Sequence, residues 1–258
     1  MPVKLAGPNI MTTTDHFLEL SIPTDDIQAS LNFYRRLGFV ELEAGEIRSY
    51  YYAVVTDGKI ALGLHGSGPE EPAIAFVRQN LADHVQDLEE SGIQFAFQEL
   101  GFERFHEVGF YSPDGHLVRM MEARTFSPAI QDKPPASIIG QVSEISLRSR
   151  NFERAIGFWS NRGFIVDADD ATYDNLGHVP MIAPGLIIGL RDDLRWPDPT
   201  LRFEASSIAS VFDQLEQRGI PATPTGDDLM IRAPEGTRLM LIDTPDNGQE
   251  AVQASPRN

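Results

Sequence analysis

Two short runs of this chain carry the same polar pair in an otherwise apolar stretch. Glu19 and Ser21 lie within 17–22, and Glu144 and Ser146 lie within 142–147. On a strand, alternate side chains share a face, so Leu18, Leu20 and Ile22 fall on one side and Glu19 and Ser21 on the other. Ile145 and Leu147 oppose Glu144 and Ser146 in the same way. A carboxylate on the inner face of a sheet can serve as metal ligand, general base or ion-pair partner. A glutamate turned to solvent near a strand end is the plainer alternative.

The six histidines are scattered, with no HxH or HxxxH spacing to suggest a metal site. His65 and His106 end or begin strands near a cavity mouth, where either suits a proton donor or a ligand contact. His178 matches Tyr52 of the first half. His116 follows a turn. On a regular strand His16 has the wrong parity to accompany Glu19. His84 falls between apolar helix positions and reads as a surface residue. Tyr50, Tyr51 and Tyr52 run consecutively, so both faces of their strand carry a ring, and Trp196 sits in an Arg-Trp-Pro-Asp-Pro loop. Aromatic walls over an apolar cup fit a planar or hydrophobic small molecule; ordinary packing explains any single ring equally well.

Other chemistries are excluded. The chain has no cysteine, hence no disulfide, zinc–thiolate site or thiol nucleophile. The glycines at 66 and 68 have no helix immediately behind them and form no phosphate loop, and no serine nucleophile elbow is present.

The elements that must position these residues come as an internal repeat. Phe33-Tyr34 and Gly38-Phe39 match Phe158-Trp159 and Gly163-Phe164. Phe76, Leu81, Leu88 and Gly92 match Phe203, Ile208, Leu215 and Gly219. Ser112-Pro113-Asp114-Gly115 matches Ala233-Pro234-Glu235-Gly236. Each half reads as a strand, then a helix capped at Asp26 or Asn151, then further strands, and the pattern recurs within each half. The second helices carry apolar stripes at Leu81, Val85 and Leu88, and at Ile208, Phe212 and Leu215. Glycine ends the helices, and Pro-Asp-Gly or Pro-Glu-Gly makes a turn. The expected class is α+β, with four βαβββ modules in two domains at 12–125 and 139–245. A proline-bearing linker spans 126–138, a loose leader covers the first residues, and a flexible tail spans 246–258.

The 258 residues carry a formal net charge of −17. Such a chain repels nucleic-acid phosphates and anionic membranes; a solvated acidic surface explains the charge, and a cationic ligand would also suit it. No apolar run approaches the roughly 20 residues that span a bilayer, and the N-terminus lacks the apolar core of a signal peptide. The expected protein is cytoplasmic, binds neither nucleic acid nor membrane, and is a monomer or homodimer with a small-molecule ligand.

The spacing Asp26-x3-Ser30-x2-Phe33-Tyr34-x2-Leu37-Gly38-Phe39, the strand Ala73-Ile74-Ala75-Phe76 and the turn at Pro113-Asp114-Gly115 resemble the vicinal oxygen chelate (glyoxalase/bleomycin resistance/dioxygenase) superfamily. The resemblance implies two cupped mixed sheets. In such relatives each cup holds a divalent metal through His, Gln or Glu on the first strand of each module and Glu on the last. Carried over, these positions are Glu19, Ala73 and Arg119 in the first half and Glu144, Thr200 and Met240 in the second. A further glutamate position falls on Gly63 or Gly189. At most one ligand-capable residue per half remains, so no cofactor is expected, although a divalent metal stays open. Arg119 suggests a substitute: an ion pair with Glu19, or a clamp for a carboxylate or phosphate.

The leading expectation is a small-molecule-binding protein with a degenerate metal site, of the drug- or metabolite-sequestering, bleomycin-resistance type. The alternative is a lyase, isomerase or dioxygenase with divergent metal ligands, or a metal-free site using Glu19 or Glu144 as base. A third is a structural or regulatory module in which one half supports the other.

Overall fold

The computed structural model describes residues 15–43, 50–101, 105–122, 137–167, 177–192 and 199–244. The leader, the tail, Trp196 and most of the linker lie outside the described residues. The first half runs β1 (His16–Pro23), α1 (Ile27–Leu37), β2 (Val40–Leu42), β3 (Tyr52–Thr56), β4 (Ala61–His65), β5 (Ala73–Arg78), α2 (Leu81–Glu90), β6 (Phe95–Glu99), β7 (Glu107–Tyr111) and β8 (Leu117–Glu122). The second runs β9 (Val142–Arg148), α3 (Phe152–Ser160), β10 (Ile165–Val166), β11 (His178–Ala183), β12 (Leu186–Arg191), β13 (Thr200–Ala205), α4 (Ile208–Gln217), β14 (Ala222–Thr225), β15 (Asp228–Arg232) and β16 (Arg238–Asp243).

The strands form two eight-stranded sheets in the same order, β2-β3-β4-β1-β5-β8-β7-β6 and β10-β11-β12-β9-β13-β16-β15-β14. Each module's first strand pairs parallel with its last, as in β1 with β4 and β5 with β8, so its helix makes the crossover. The two modules of a sheet meet through antiparallel first strands, β1 with β5 and β9 with β13. This is the expected α+β architecture of four βαβββ modules in two cups.

Local chemistry sets the helix starts. Asp26, Asn151 and Ser207 each accept a hydrogen bond from a first-turn backbone N–H. Asn80, the fourth cap, sits in the left-handed region and makes no such bond. These caps fall the same distance along the chain after Glu19, Glu144, Thr200 and Ala73 respectively, so the four modules share one frame. No described helix is long and apolar enough to cross a membrane.

The helix-covered faces of both sheets merge into one apolar cluster that includes Leu20, Tyr34, Leu62, Phe110, Ile145, Trp159, Phe203 and Leu241. Edge-to-face pairs join the halves, Phe76 with Phe164 and Phe110 with Phe158. Acidic turn residues add polar ties. Asp57 accepts from the Val142 backbone N–H at 2.5 Å, and Asp114 accepts from the Arg150 N–H at 3.0 Å. Glu235, in the Pro-Glu-Gly turn of the second half, accepts from Ser30 and Tyr34 of α1, both at 2.7 Å. Burial, with the Glu235 carboxylate beside it, raises the Tyr34 phenol well above its ordinary pKa. The two halves therefore fold as mutually supporting partners.

A β-bulge in each first strand modifies the expected alternation. The register shifts between Phe17 and Glu19, and the β9–β13 pairing shifts at the equivalent place. Leu18 consequently leaves the helix face, contrary to the regular-strand expectation, and packs with Ala75, Val77 and Met121 on the cup side. His16, expected out of phase with Glu19, is level with Val77 of that same group. His84 departs from its expected surface place too. It is buried beside Asp87, and burial lowers its pKa.

Glu235→Ala should cost about 1–3 kcal/mol in urea unfolding, because it strips the acceptors from a buried phenol and a buried hydroxyl. Combined with Tyr34→Phe it should cost less than the sum of the two single changes.

Candidate functional site

The face of the first sheet away from the helices is a cup whose floor is crossed by β1, β4, β5 and β8. Glu19 is 1% exposed at its centre. Two features let a carboxylate sit there. Gly63, next to it on β4, leaves the space: a Cβ at that position would lie 2.3–2.4 Å from the Glu19 carboxyl atoms. Donors then surround the charge. Ser21 Oγ donates to Glu19 Oε1 at 2.8 Å, His65 Nε2 bonds the same oxygen at 2.9 Å, and the Tyr52 hydroxyl donates to Oε2. Tyr50 continues the chain to His65 Nδ1 at 3.1 Å. Burial alone would raise the Glu19 pKa; the hydrogen bond and charge of His65, with bonds from Tyr52 and Ser21, outweigh it and lower the pKa. Of the tyrosine run, Tyr50 and Tyr52 thus join the inner cluster while Tyr51 is 86% exposed.

The second cup repeats the plan with different donors. Gly189 opens the space for Glu144, again with a virtual Cβ 2.3–2.4 Å from its carboxyl atoms. Ser146 donates to Oε1 at 2.5 Å and His178 Nε2 bonds Oε2 at 2.8 Å. Arg191 donates to Oε1 through Nε at 3.1 Å and Nη2 at 2.9 Å. Arg202 stands 3.8 Å from Oε2. Strand register makes the correspondence explicit. Tyr52 pairs with His65 and His178 with Arg191, so a Tyr/His set in one cup becomes a His/Arg set in the other. Burial pushes the Glu144 pKa up, but His178, Arg191 and Ser146 together bring it down to about 2.

The expected pair between Glu19 and Arg119 does not form. Arg119 lies on the cup face of β8, two strands from β1, with Ala75 of β5 between them. Its guanidinium instead binds Glu107 of β7, a nearer carboxylate. One of its nitrogens, Nη1, is buried without a hydrogen-bond partner among the described residues. His106 is one residue out of phase with Glu107 and bonds Glu122 at 2.6 Å, away from the Glu19 cluster. His116 bonds the Arg148 carbonyl of the other half at 2.7 Å.

Sequence reasoning missed Glu107, Arg191 and Arg202. The signals were present for the last two: aligning Gly63-Leu64-His65 with Gly189-Leu190-Arg191, and Ala75-Phe76 with Arg202-Phe203, places both arginines in the frame of the cup. It also treated Gly63 and Gly189 as lost ligands, whereas both make room for a glutamate.

A divalent metal does not fit these donor sets. Beside Glu19, His65 and Tyr52 are already bonded to the carboxylate, Ala73 and Gly63 have no side-chain ligand atom, and Arg119 is cationic. Beside Glu144, guanidinium groups occupy the space where a cation would approach, and Thr200 and Met240 are poor partners for a hard ion. Among the described residues no three His, Asp or Glu side chains converge as an ion site.

The lowered Glu144 pKa fixes a pH dependence. It lies below the ordinary carboxylate value of 4.5, so the stabilisation is complete above about pH 5 and is lost as the pH falls towards 2. Denaturation of wild type and Glu144→Gln should show their stability gap narrowing by about 2 kcal/mol between pH 7 and pH 3.

Residues 13–120 match the Glyoxalase/Bleomycin resistance protein/Dioxygenase superfamily model. A search of curated proteins finds no match. Among solved structures, a catechol 2,3-dioxygenase superposes with TM-score 0.56 at 14% identity, covering 90% of each chain. Homoprotocatechuate 2,3-dioxygenase from Arthrobacter globiformis gives 0.60 at 16%, covering 90% of this chain and 80% of its own. The 2,3-dioxygenase LapB from Pseudomonas sp. KL28 gives 0.56 at 15%, covering 89% and 92%. At these identities the likeness is one of fold. The first half of the chain thus matches the glyoxalase/bleomycin resistance protein/dioxygenase superfamily model, and the second half repeats the same strand order.

Proposed function

We propose that this protein binds a small organic molecule in its cups without a resident divalent metal, sequestering a drug or metabolite as a bleomycin-resistance-like member does. One observation carries this reading: both cup carboxylates are already engaged by protein donors. Glu19 accepts from Ser21, Tyr52 and His65, and Glu144 from Ser146, His178 and Arg191. A carboxylate committed to internal hydrogen bonds must give them up before it can ligate an ion, and the neighbouring positions supply little in return. The tandem halves provide four modules in one chain, which suits a monomer, and a cytoplasmic location accords with the absence of cysteine.

A second reading, acid–base catalysis without metal, is favoured by the hydrogen-bonded run Tyr50–His65–Glu19–Tyr52. In it Glu19, whose pKa is lowered, orients rather than abstracts, and His65 moves the proton.

Elemental analysis of the purified protein should find iron, manganese, nickel and zinc each well below one per chain, and EDTA should leave the melting temperature unchanged. One equivalent of any of these metals, with a fall in melting temperature on chelation, would overturn the sequestration reading.

A further inference from the structure

The two cups differ in the state of their arginines. In the first, Arg119 is matched by Glu107 on the adjoining strand. In the second, the equivalent place on β16 is Met240, and the guanidinium has moved one strand inward to Arg202. The row across that sheet reads Glu144, Arg202, Met240, Met230. All four belong to the cup face, because their neighbours Ile145, Leu201, Phe203, Leu239, Leu241, Leu229 and Ile231 lie in the core beneath the helices.

Arg202 is the cup cation that the described residues leave least engaged. Its side chain is 18% exposed, its contact with Glu144 is 3.8 Å, and its guanidinium makes no hydrogen bond among the described residues. Its Nε is buried without a partner. Glu144 meets the guanidinium only at ion-pair range, 3.8 Å, and both oxygens of that carboxylate already accept closer bonds, from Arg191 and Ser146 on one and from His178 on the other. Asp228, on β15, is close enough to be felt, but burial raises its pKa and it forms no ion pair with Arg202 among the described residues. A guanidinium has five donors in a planar fork that matches a carboxylate. Leaving the buried Nε unmet is unfavourable unless a ligand meets it.

We infer that the second cup is a binding site for an organic carboxylate, with Arg202 receiving the carboxylate and Met240 and Met230 packing against the apolar body. The two thioethers lie on the side of Arg202 away from Glu144. An acid with a flat or hydrocarbon body can therefore pair its charge with the guanidinium and lay its body on polarisable side chains. The cup's local charge sets this preference, despite the chain's net charge of −17. The inference deepens the metal-independent binding reading and rests on it.

The test uses benzoate, with benzamide as its uncharged isostere, titrated calorimetrically into the EDTA-treated protein. Benzoate should bind one per chain and at least about tenfold more tightly than benzamide. Arg202→Met should abolish that preference, and Arg119→Met should leave it intact. Arg202→Lys, which keeps a cation beside Glu144 but loses the fork, should weaken benzoate by at least about tenfold and guards against misfolding of the methionine variant. The inference is overturned if benzoate shows no saturable binding up to about 10 mM. Equal affinity for benzamide, full affinity in both Arg202 variants, or loss only in Arg119→Met would overturn it as well. Failure here with metal-free protein leaves the broader binding reading standing, whereas a stoichiometric metal removes that reading itself.

Discussion

A carboxylate cannot be taken out of water and left alone. Desolvation of Glu19 and Glu144 at the floors of their cups costs several kcal/mol unless charge and hydrogen bonds replace the lost solvent. Much of the interior follows from meeting that demand. Gly63 and Gly189 give the carboxylates room, Ser21 and Ser146 solvate them from the same strand, and the facing strands supply Tyr52 with His65 in one cup and His178 with Arg191 in the other. The same backbone frame thus carries two chemically different solutions to one electrostatic problem.

Those solutions separate this chain from what its fold implies. A metal-binding member uses the cup carboxylate as a ligand and lets the ion act as counter-charge. Here protein hydrogen-bond donors take that place, and the positions that the resemblance equates with the other ligands hold Ala73, Arg119, Thr200 and Met240. The likeness to ring-cleaving dioxygenases lies in strand order and helix placement. The reading of a metal-independent binder rests on what fills the cups.

The architecture was legible because it depends on repeated local signals. Helix caps at Asp26 and Asn151, glycine stops at Gly38 and Gly163, and matched Pro-Asp-Gly and Pro-Glu-Gly turns each report a local backbone need. Glu19 and Ser21 were legible as sharing an inner face through strand alternation and the matching second half, whereas Tyr50, Tyr52 and His65 were legible only as separate candidates to line the cup. The expectation failed where a long-range choice decides. A single-residue bulge moved Leu18 across the sheet and changed the phase of His16, and no local residue pattern announces it. Arg119 had two carboxylates within reason, and only the strand order β5-β8-β7 shows that Glu107 is next door while Glu19 lies two strands off. His84 was misjudged because a polar residue in an apolar helical stripe reads as surface until its neighbours are known.

The central claim, that protein donors have replaced the ion around Glu19 and Glu144, is tested most directly by a crystal structure grown in excess manganese with anomalous diffraction recorded. The account predicts no anomalous peak in either cup and carboxylates still bonded to their serine, histidine, tyrosine and arginine partners. A peak at roughly 2.0–2.3 Å from a Glu19 or Glu144 oxygen, with those partners swung away, would contradict it.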